Sequence, residues 1–127
     1  MEDTWDYAIV LDACRYDIFV EAQEQVDVDH DVLEKKKSVA SATMEWVRRC
    51  LKKTYNNTVV VTANPQLSKT KLRENTGDSK RFYRNIPAWD TGWDDKLQVT
   101  PPWRMLQICK KAIKKYPDKR LLFWFMQ

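Results

Sequence analysis

Apolar residues fall along this chain in short β-branched or aromatic runs and in longer stretches of helical spacing, and the two alternate. Tyr7 to Leu11 is apolar and bounded by charge, the pattern of a strand covered on both faces of a parallel sheet. Asp17 to about Gln25 reads as a helix, with Ile18, Phe19 and Ala22 toward the sheet and Glu21 and Glu24 outward. Val26 to Asp31 alternates apolar and acidic residues, as a short edge strand or a loop does. Trp46, Val47, Cys50 and Leu51 stand at 3.6 spacing and make the apolar face of a second helix, which opens near Ser41–Thr43 and closes near Lys52-Lys53. Asn56-Asn57 reads as a turn, Thr58 to Thr62 as a second strand, and Asn64-Pro65 as its end. Gln66 to Lys96 shows no dominant period. Thr100 suits an N-cap and Pro101 a first helical position. Trp103, Leu106, Ile108, Cys109, Ala112 and Ile113 then form a broad apolar face, with Lys110, Lys111, Lys114 and Lys115 outward. Leu121 to Met126 is a third strand. Strands alternating with helices predict an α/β fold, a mainly parallel sheet with flanking helices.

Composition narrows this picture. The 127 residues allow one domain or less, and 43% hydrophobic residues with six Trp can bury a core. The net charge of +4 is spread along the chain, so ordinary solubility charge is the simpler reading, although an excess of this sign also suits anionic partners. Cys14, Cys50 and Cys109 form neither a Cys-x-x-Cys pair nor an even framework, and reduced thiols in a cytoplasmic protein are expected. No secretory leader is read before the first strand, and no apolar run has the length of a membrane segment.

Candidate chemistry clusters after the first strand. Asp12 follows it directly, where open α/β sheets bind ligands. Arg15 and Asp17 come within one helical turn. Two carboxylates and a guanidinium suit a divalent metal and an oxyanion, and the same residues suit an N-cap followed by solvated helix charges. Asp27, Asp29 and Asp31, with the chain's one histidine, His30, between them, share a face if the segment is extended. A hard-cation site is one reading, and a solvated edge is the simpler one. Ser38, Ser41 and Thr43 precede or open the second helix, where free backbone N–H groups and the helix dipole favour a bound phosphate or sulfate. N-capping explains the same hydroxyls. Between Gln66 and Lys96, Phe82, Tyr83, Trp89 and Trp93 are interleaved with Arg81 and Arg84. Such interleaving suits a stacking surface for single-stranded nucleic acid.

Leu11-Asp12-Ala13-Cys14-Arg15-Tyr16-Asp17 resembles the opening motif of the sulfatase-like branch of the alkaline phosphatase superfamily. It is similar to the archaeal-type sulfatase-like proteins, which begin with a strand and Leu-Asp-Ala-x-Arg-Tyr-Asp. Ser38, Ser41, Thr43, Glu45 and Trp46 are similar to a second segment of that family, Ser-x-x-Ser-x-Thr-x-Glu-Trp. The resemblance implies an alkaline-phosphatase-like fold in which Asp12 ligates a divalent metal (Zn, Mn, Mg or Ca), and Asp17 is a candidate further ligand from its spacing. The resemblance also implies a hydroxyl nucleophile at Thr43, with Ser41 as its competitor; Arg15 is a candidate catalytic residue from its spacing to Asp12. For the stretch from Gln66 to Lys96 the resemblance implies a lid on the substrate side, in place of the nucleic-acid surface. The Cys/Ser-x-Pro-x-Arg pattern of formylglycine sulfatases begins at none of the cysteines, nor at Ser38 or Ser41. A direct hydroxyl nucleophile belongs more with phosphatases, phosphodiesterases and phosphotransferases than with sulfate-ester hydrolases.

The resemblance spans nearly all of this chain but only the N-terminal part of the family domain. The family's Pro-His and Asp-His-Gly segments and further histidines lie beyond the match, so the fold and metal site are expected to be incomplete within these residues, with association through unpaired sheet edges. The expected function is metal-dependent hydrolysis or transfer of phosphate or sulfate esters. The alternatives are a non-catalytic fragment or a small basic nucleic-acid-binding module.

Overall fold

The computed structural model describes residues 4–26 and 33–126. The strands are β1 (Tyr7–Asp12), β2 (Tyr55–Thr62), β3 (Phe82–Pro87) and β4 (Arg120–Met126), and the helices are α1 (Tyr16–Gln23), α2 (Thr43–Cys50), α3 (Lys69–Thr76), the single turn α4 (Trp89–Gly92) and α5 (Pro102–Lys115). The four strands form one parallel sheet in the order β1-β4-β2-β3, so the chain has an α/β fold with flanking helices.

The longest apolar runs take the centre of the sheet. β2 and β4 have a strand on either side and are covered on both faces, which is why their sequences are continuous apolar runs rather than alternating ones. On one face Val60, Leu122 and Trp124 pack under Val47 and Leu51 of the α2 region and Leu72 of α3. On the other, Val59, Val61, Leu121 and Phe123 pack under Met105, Cys109 and Ala112 of α5. Arg120 in β4 pairs with Thr58 and Trp124 with Thr62, and Tyr7 to Asp12 run alongside Leu121 to Met126. This register brings the carboxyl ends of β1, β4 and β2 together.

Several expectations are corrected by strand position. β1 is an edge strand and is not covered on both faces: Ala8 and Val10 pack against the α2 side, while Ile9 is 64% exposed, with Tyr7 and Leu11 also exposed beside it. Ile18, Phe19 and Ala22 do not turn to the sheet, since α1 buries no residue; it leaves an edge strand, and α2 takes the place over the sheet. Asn56 and Asn57 are exposed residues inside β2 rather than a turn, and the register to β3 shifts between Tyr55 and Val59. Pro101, not Thr100, is the N-cap of α5, and the buried Thr100 hydroxyl has no hydrogen-bond partner among the described residues. The stretch from Gln66 to Lys96 holds the helix α3, the single turn α4 and the strand β3 of the sheet. Ser68 caps α3 by accepting from the Lys71 N–H at 3.3 Å, and Gly77 closes it in the left-handed region at φ 74°, where glycine carries no Cβ penalty. The Val26–Asp31 alternation lies at and beyond the edge of the described residues, and Asp27, Asp29, His30 and Asp31 are outside them.

Two consequences are measurable. Tyr7, Ile9 and Leu11 leave an exposed apolar face on edge strand β1, and such a face is expected to favour association. Ile9→Lys is expected to shift sedimentation-velocity profiles at high concentration toward monomer, and identical profiles would place self-association elsewhere. Among the thiols, Cys14 is exposed and Cys109 buried, and burial pushes the Cys109 thiol up from 9.0 to about 12. Native alkylation followed by peptide mapping is expected to modify Cys14 quickly and Cys109 only after denaturation; equal rates would contradict this packing. Because the unfolded thiol ionises first, the stability contributed by neutral Cys109 is fully present below pH 9.0 and is lost as pH rises toward about 12. No helix among the described residues is long and apolar enough to cross a membrane.

Candidate active site

Asp12 ends β1, and its neighbours come from three other parts of the chain. Its Oδ2 atom accepts hydrogen bonds from Asn64 Nδ2 at 2.6 Å, Trp124 Nε1 at 3.1 Å and Thr43 Oγ1 at 3.4 Å. Each donor is placed by its own element. Asn64 follows β2 and is buried; its Oδ1 accepts from the Gln66 N–H at 2.9 Å, which fixes the amide so that its NH₂ meets the carboxylate. Trp124 is a core residue of β4 whose Cα is paired with Val10, two residues before Asp12, and its ring packs edge-on against Trp46 with centroids 5.4 Å apart. Thr43 is the first residue of α2, and the N-cap residue Ala42 is extended, which swings the Thr43 hydroxyl toward the sheet end.

The turn after Asp12 is strained. Ala13 has φ 62°, and the Cys14 N–H donates to the Leu11 carbonyl at 3.2 Å. A non-glycine residue in the left-handed region costs roughly 1–2 kcal/mol, and such residues concentrate at functional sites. Here the turn reverses the chain immediately behind the Asp12 carboxylate.

A cavity of about 550 Å³ opens over this cluster, lined among others by Asp12, Ala13, Ser38, Ser41, Thr43 and Trp124. That volume is within the range of small-molecule sites. Of the residues singled out from sequence, Asp12, Thr43 and Ser41 meet here, with Thr43 in contact with Asp12 and Ser41 on the wall. Arg15 and Asp17 do not line the cavity. They bind each other, Nη2 to Oδ2 at 2.5 Å and Nε to Oδ1 at 3.0 Å, with exposed side chains.

The donor set by itself does not make a metal site. All three donors meet Asp12 Oδ2, and among the described residues none meets Oδ1, which leaves that oxygen and Thr43 Oγ1 for a cation. A bound divalent ion takes about four to eight ligands. Among the described residues no three His, Cys, Asp or Glu side chains are grouped to hold one. The described residues therefore do not fit a complete metal site, and a cation here would need ligands from water, substrate or other residues.

The sequence marks Asn64 only as the end of a strand and Trp124 only as a residue within one. The strand-end position of Asn64 was the available signal; nothing local in the sequence marks an indole inside a core strand as a carboxylate partner.

The aromatic segment is mostly committed to packing. Phe82 is buried and stacks on Tyr55 at 5.7 Å. Tyr83 meets Tyr116 edge-on at 6.4 Å, and Lys119 Nζ lies 5.0 Å from its ring centroid. Arg81 is buried and donates to backbone carbonyls. Only the end of the segment lies near the carboxyl ends of the strands: Trp93 lines a cavity of about 180 Å³ with Ala63, Pro65 and Met126. Lys110, Lys111, Lys114 and Lys115 are exposed on α5. Comparison of the chain with protein-family models, with curated proteins and with solved structures found no match.

Proposed function

We propose that the Asp12 cavity is the nucleophile side of a hydrolase or transferase acting on phosphate or sulfate esters. The observation that carries this reading is the contact between Thr43 Oγ1 and Asp12 Oδ2, made across 31 residues at the open end of the sheet. The resemblance of Leu11–Asp17 and of the Ser38–Trp46 segment to sulfatase-like proteins supports it from a separate direction.

In this reading the ester's anionic group lies in the cavity near the free N–H groups that open α2, where partial positive charge favours an oxyanion. The Thr43 oxygen attacks phosphorus or sulfur as its proton passes to Asp12 Oδ2, which returns it when the group leaves Thr43. The bond to the leaving alkoxide breaks, and that alkoxide takes a proton from water. The group carried on Thr43 then passes to water or to an acceptor alcohol, restoring the hydroxyl. Asp12 orients the Thr43 hydroxyl and is itself held by Asn64 and Trp124. A divalent cation on Asp12, completed by ligands outside those described, would supply positive charge to the ester oxygens. The missing formylglycine pattern favours phosphate esters over sulfate esters. Arg15 and Asp17, paired outside the cavity, take no part in this step.

The test is chromogenic ester cleavage by the natural full-length polypeptide, with p-nitrophenyl phosphate, its bis-ester and p-nitrophenyl sulfate, each with Mg²⁺, Mn²⁺, Zn²⁺ or Ca²⁺. Cleavage that needs the Thr43 hydroxyl is expected. No cleavage in any combination, or cleavage untouched by Thr43→Ala, would overturn the reading.

A further inference from the structure

A second cavity, of about 460 Å³, lies along the outer edge of β3 and shares no lining residue with the Asp12 site. Lys69 from the start of α3, Lys80 from the loop before β3 and Arg84 from β3 itself all line it, and no aspartate or glutamate does. Among the described residues none of these three cations makes an ion pair. Glu74 is paired with Lys71 at 2.7 Å, and Asp78, which accepts from the Lys80 backbone N–H at 2.7 Å and the Thr54 hydroxyl at 3.4 Å, does not line the cavity. Three cationic side chains line this one concavity with no carboxylate among them, and an anion entering it would offset their mutual repulsion. Asn56 and Ser79 add neutral polar groups to the wall.

We infer that this cavity is a binding site for a small phosphate-bearing anion, separate from the Asp12 site and independent of the reaction proposed there. Phe82 and Tyr83 also line the cavity, but Phe82 is buried against Tyr55 and Tyr83 is held by Tyr116 and Lys119. Phe82 is therefore not free to stack on a nucleobase and Tyr83 is the one exposed ring of the two, so the three cations carry the recognition and suit a diphosphate or an aliphatic phosphate ester. The volume accommodates such a ligand, and two lysines as point charges with one planar guanidinium match the oxygens of phosphate groups.

The probe is pyrophosphate, titrated calorimetrically into the natural polypeptide at physiological ionic strength, with backbone amide NMR shifts locating the site. Saturable binding is expected, with shifts centred on Ser79, Lys80 and Asn85. Lys69→Gln, Lys80→Gln and Arg84→Gln are each expected to weaken it about tenfold, and Thr43→Ala to leave it unchanged. The three side chains are exposed, so the variants keep the fold, which circular dichroism checks. Glycerol phosphate binding more tightly than inorganic phosphate would assign the site to an organic ester; the reverse order would assign it to free phosphate or diphosphate. Absence of binding at millimolar pyrophosphate, shifts centred on Thr43, or equal displacement by citrate and by chloride at matched ionic strength would overturn the inference. The last result would reveal general charge attraction only.

Discussion

Thr43→Ala is expected to lower ester cleavage by on the order of 10³-fold or more, the scale seen when an attacking group is removed. The substitution removes one hydroxyl from a half-buried position and breaks one long hydrogen bond, to Asp12 at 3.4 Å. A bond of that kind contributes about 1 kcal/mol or less to stability. Unfolding therefore does not account for the loss, and near-unchanged thermal unfolding is the accompanying expectation. Thr43→Ser keeps the oxygen at the start of α2 and is expected to retain most activity. Asp12→Asn keeps the size of the side chain but removes its charge; it is expected to lower turnover and to abolish any dependence on added cation. Equal activity in Thr43→Ala and wild type would remove the nucleophile from this account, and a matching loss in Ser41→Ala alone would move it by two residues.

The largest effect on stability is expected at Arg81. Its side chain is buried, and its guanidinium donates to the Leu51 carbonyl at 2.6 Å, the Lys53 carbonyl at 3.0 Å and the Thr76 carbonyl at 3.3 Å. Leu51 is the C-cap of α2 and Thr76 the last residue of α3. One cation thus satisfies carbonyls at two helix ends, where the dipole favours positive charge. Arg81→Met fills much of the same space but leaves these carbonyls without their donor. Hydrogen bonds to charged groups contribute about 1.5–3 kcal/mol each and are not additive, so a loss of about 3 kcal/mol is expected. It would appear as a lower urea midpoint with an unchanged slope. Arg81→Lys offers a point charge that cannot span the three carbonyls and is expected to recover only part of the loss. A cost below about 1 kcal/mol would show that these carbonyls find other donors.

Arg81 also shows why parts of the structure were hidden in the sequence. It stands next to Lys80 in a polar stretch, and nothing local distinguishes a guanidinium pointing into backbone carbonyls from one in water. β3 was missed for a related reason. It is an edge strand, and Tyr83, Arg84 and Asn85 lack the apolar run that marks β2 and β4. Central strands are buried on both faces and carry that fact in Val59–Val61 and Leu121–Trp124. β1 reads as a strand for the same local reason, but its place at the edge depends on β4 arriving from more than 100 residues away. At the site, local pattern places Asp12 at the end of an apolar run and Thr43 at the start of an amphipathic helix, and only the resemblance singles Thr43 out from Ser41. Their contact with Asn64 and Trp124 depends on the strand order β1-β4-β2, which no local pattern encodes.

The most direct measurement of the central claim is peptide mapping of the natural polypeptide after brief incubation with a phosphate ester and divalent cation and quenching in acid. The account predicts a phosphoryl group on the peptide containing Thr43, absent from Thr43→Ala and reduced in Asp12→Asn. Turnover with no phosphoryl group on any residue, or with the group on a residue outside the Asp12 cavity, would contradict it.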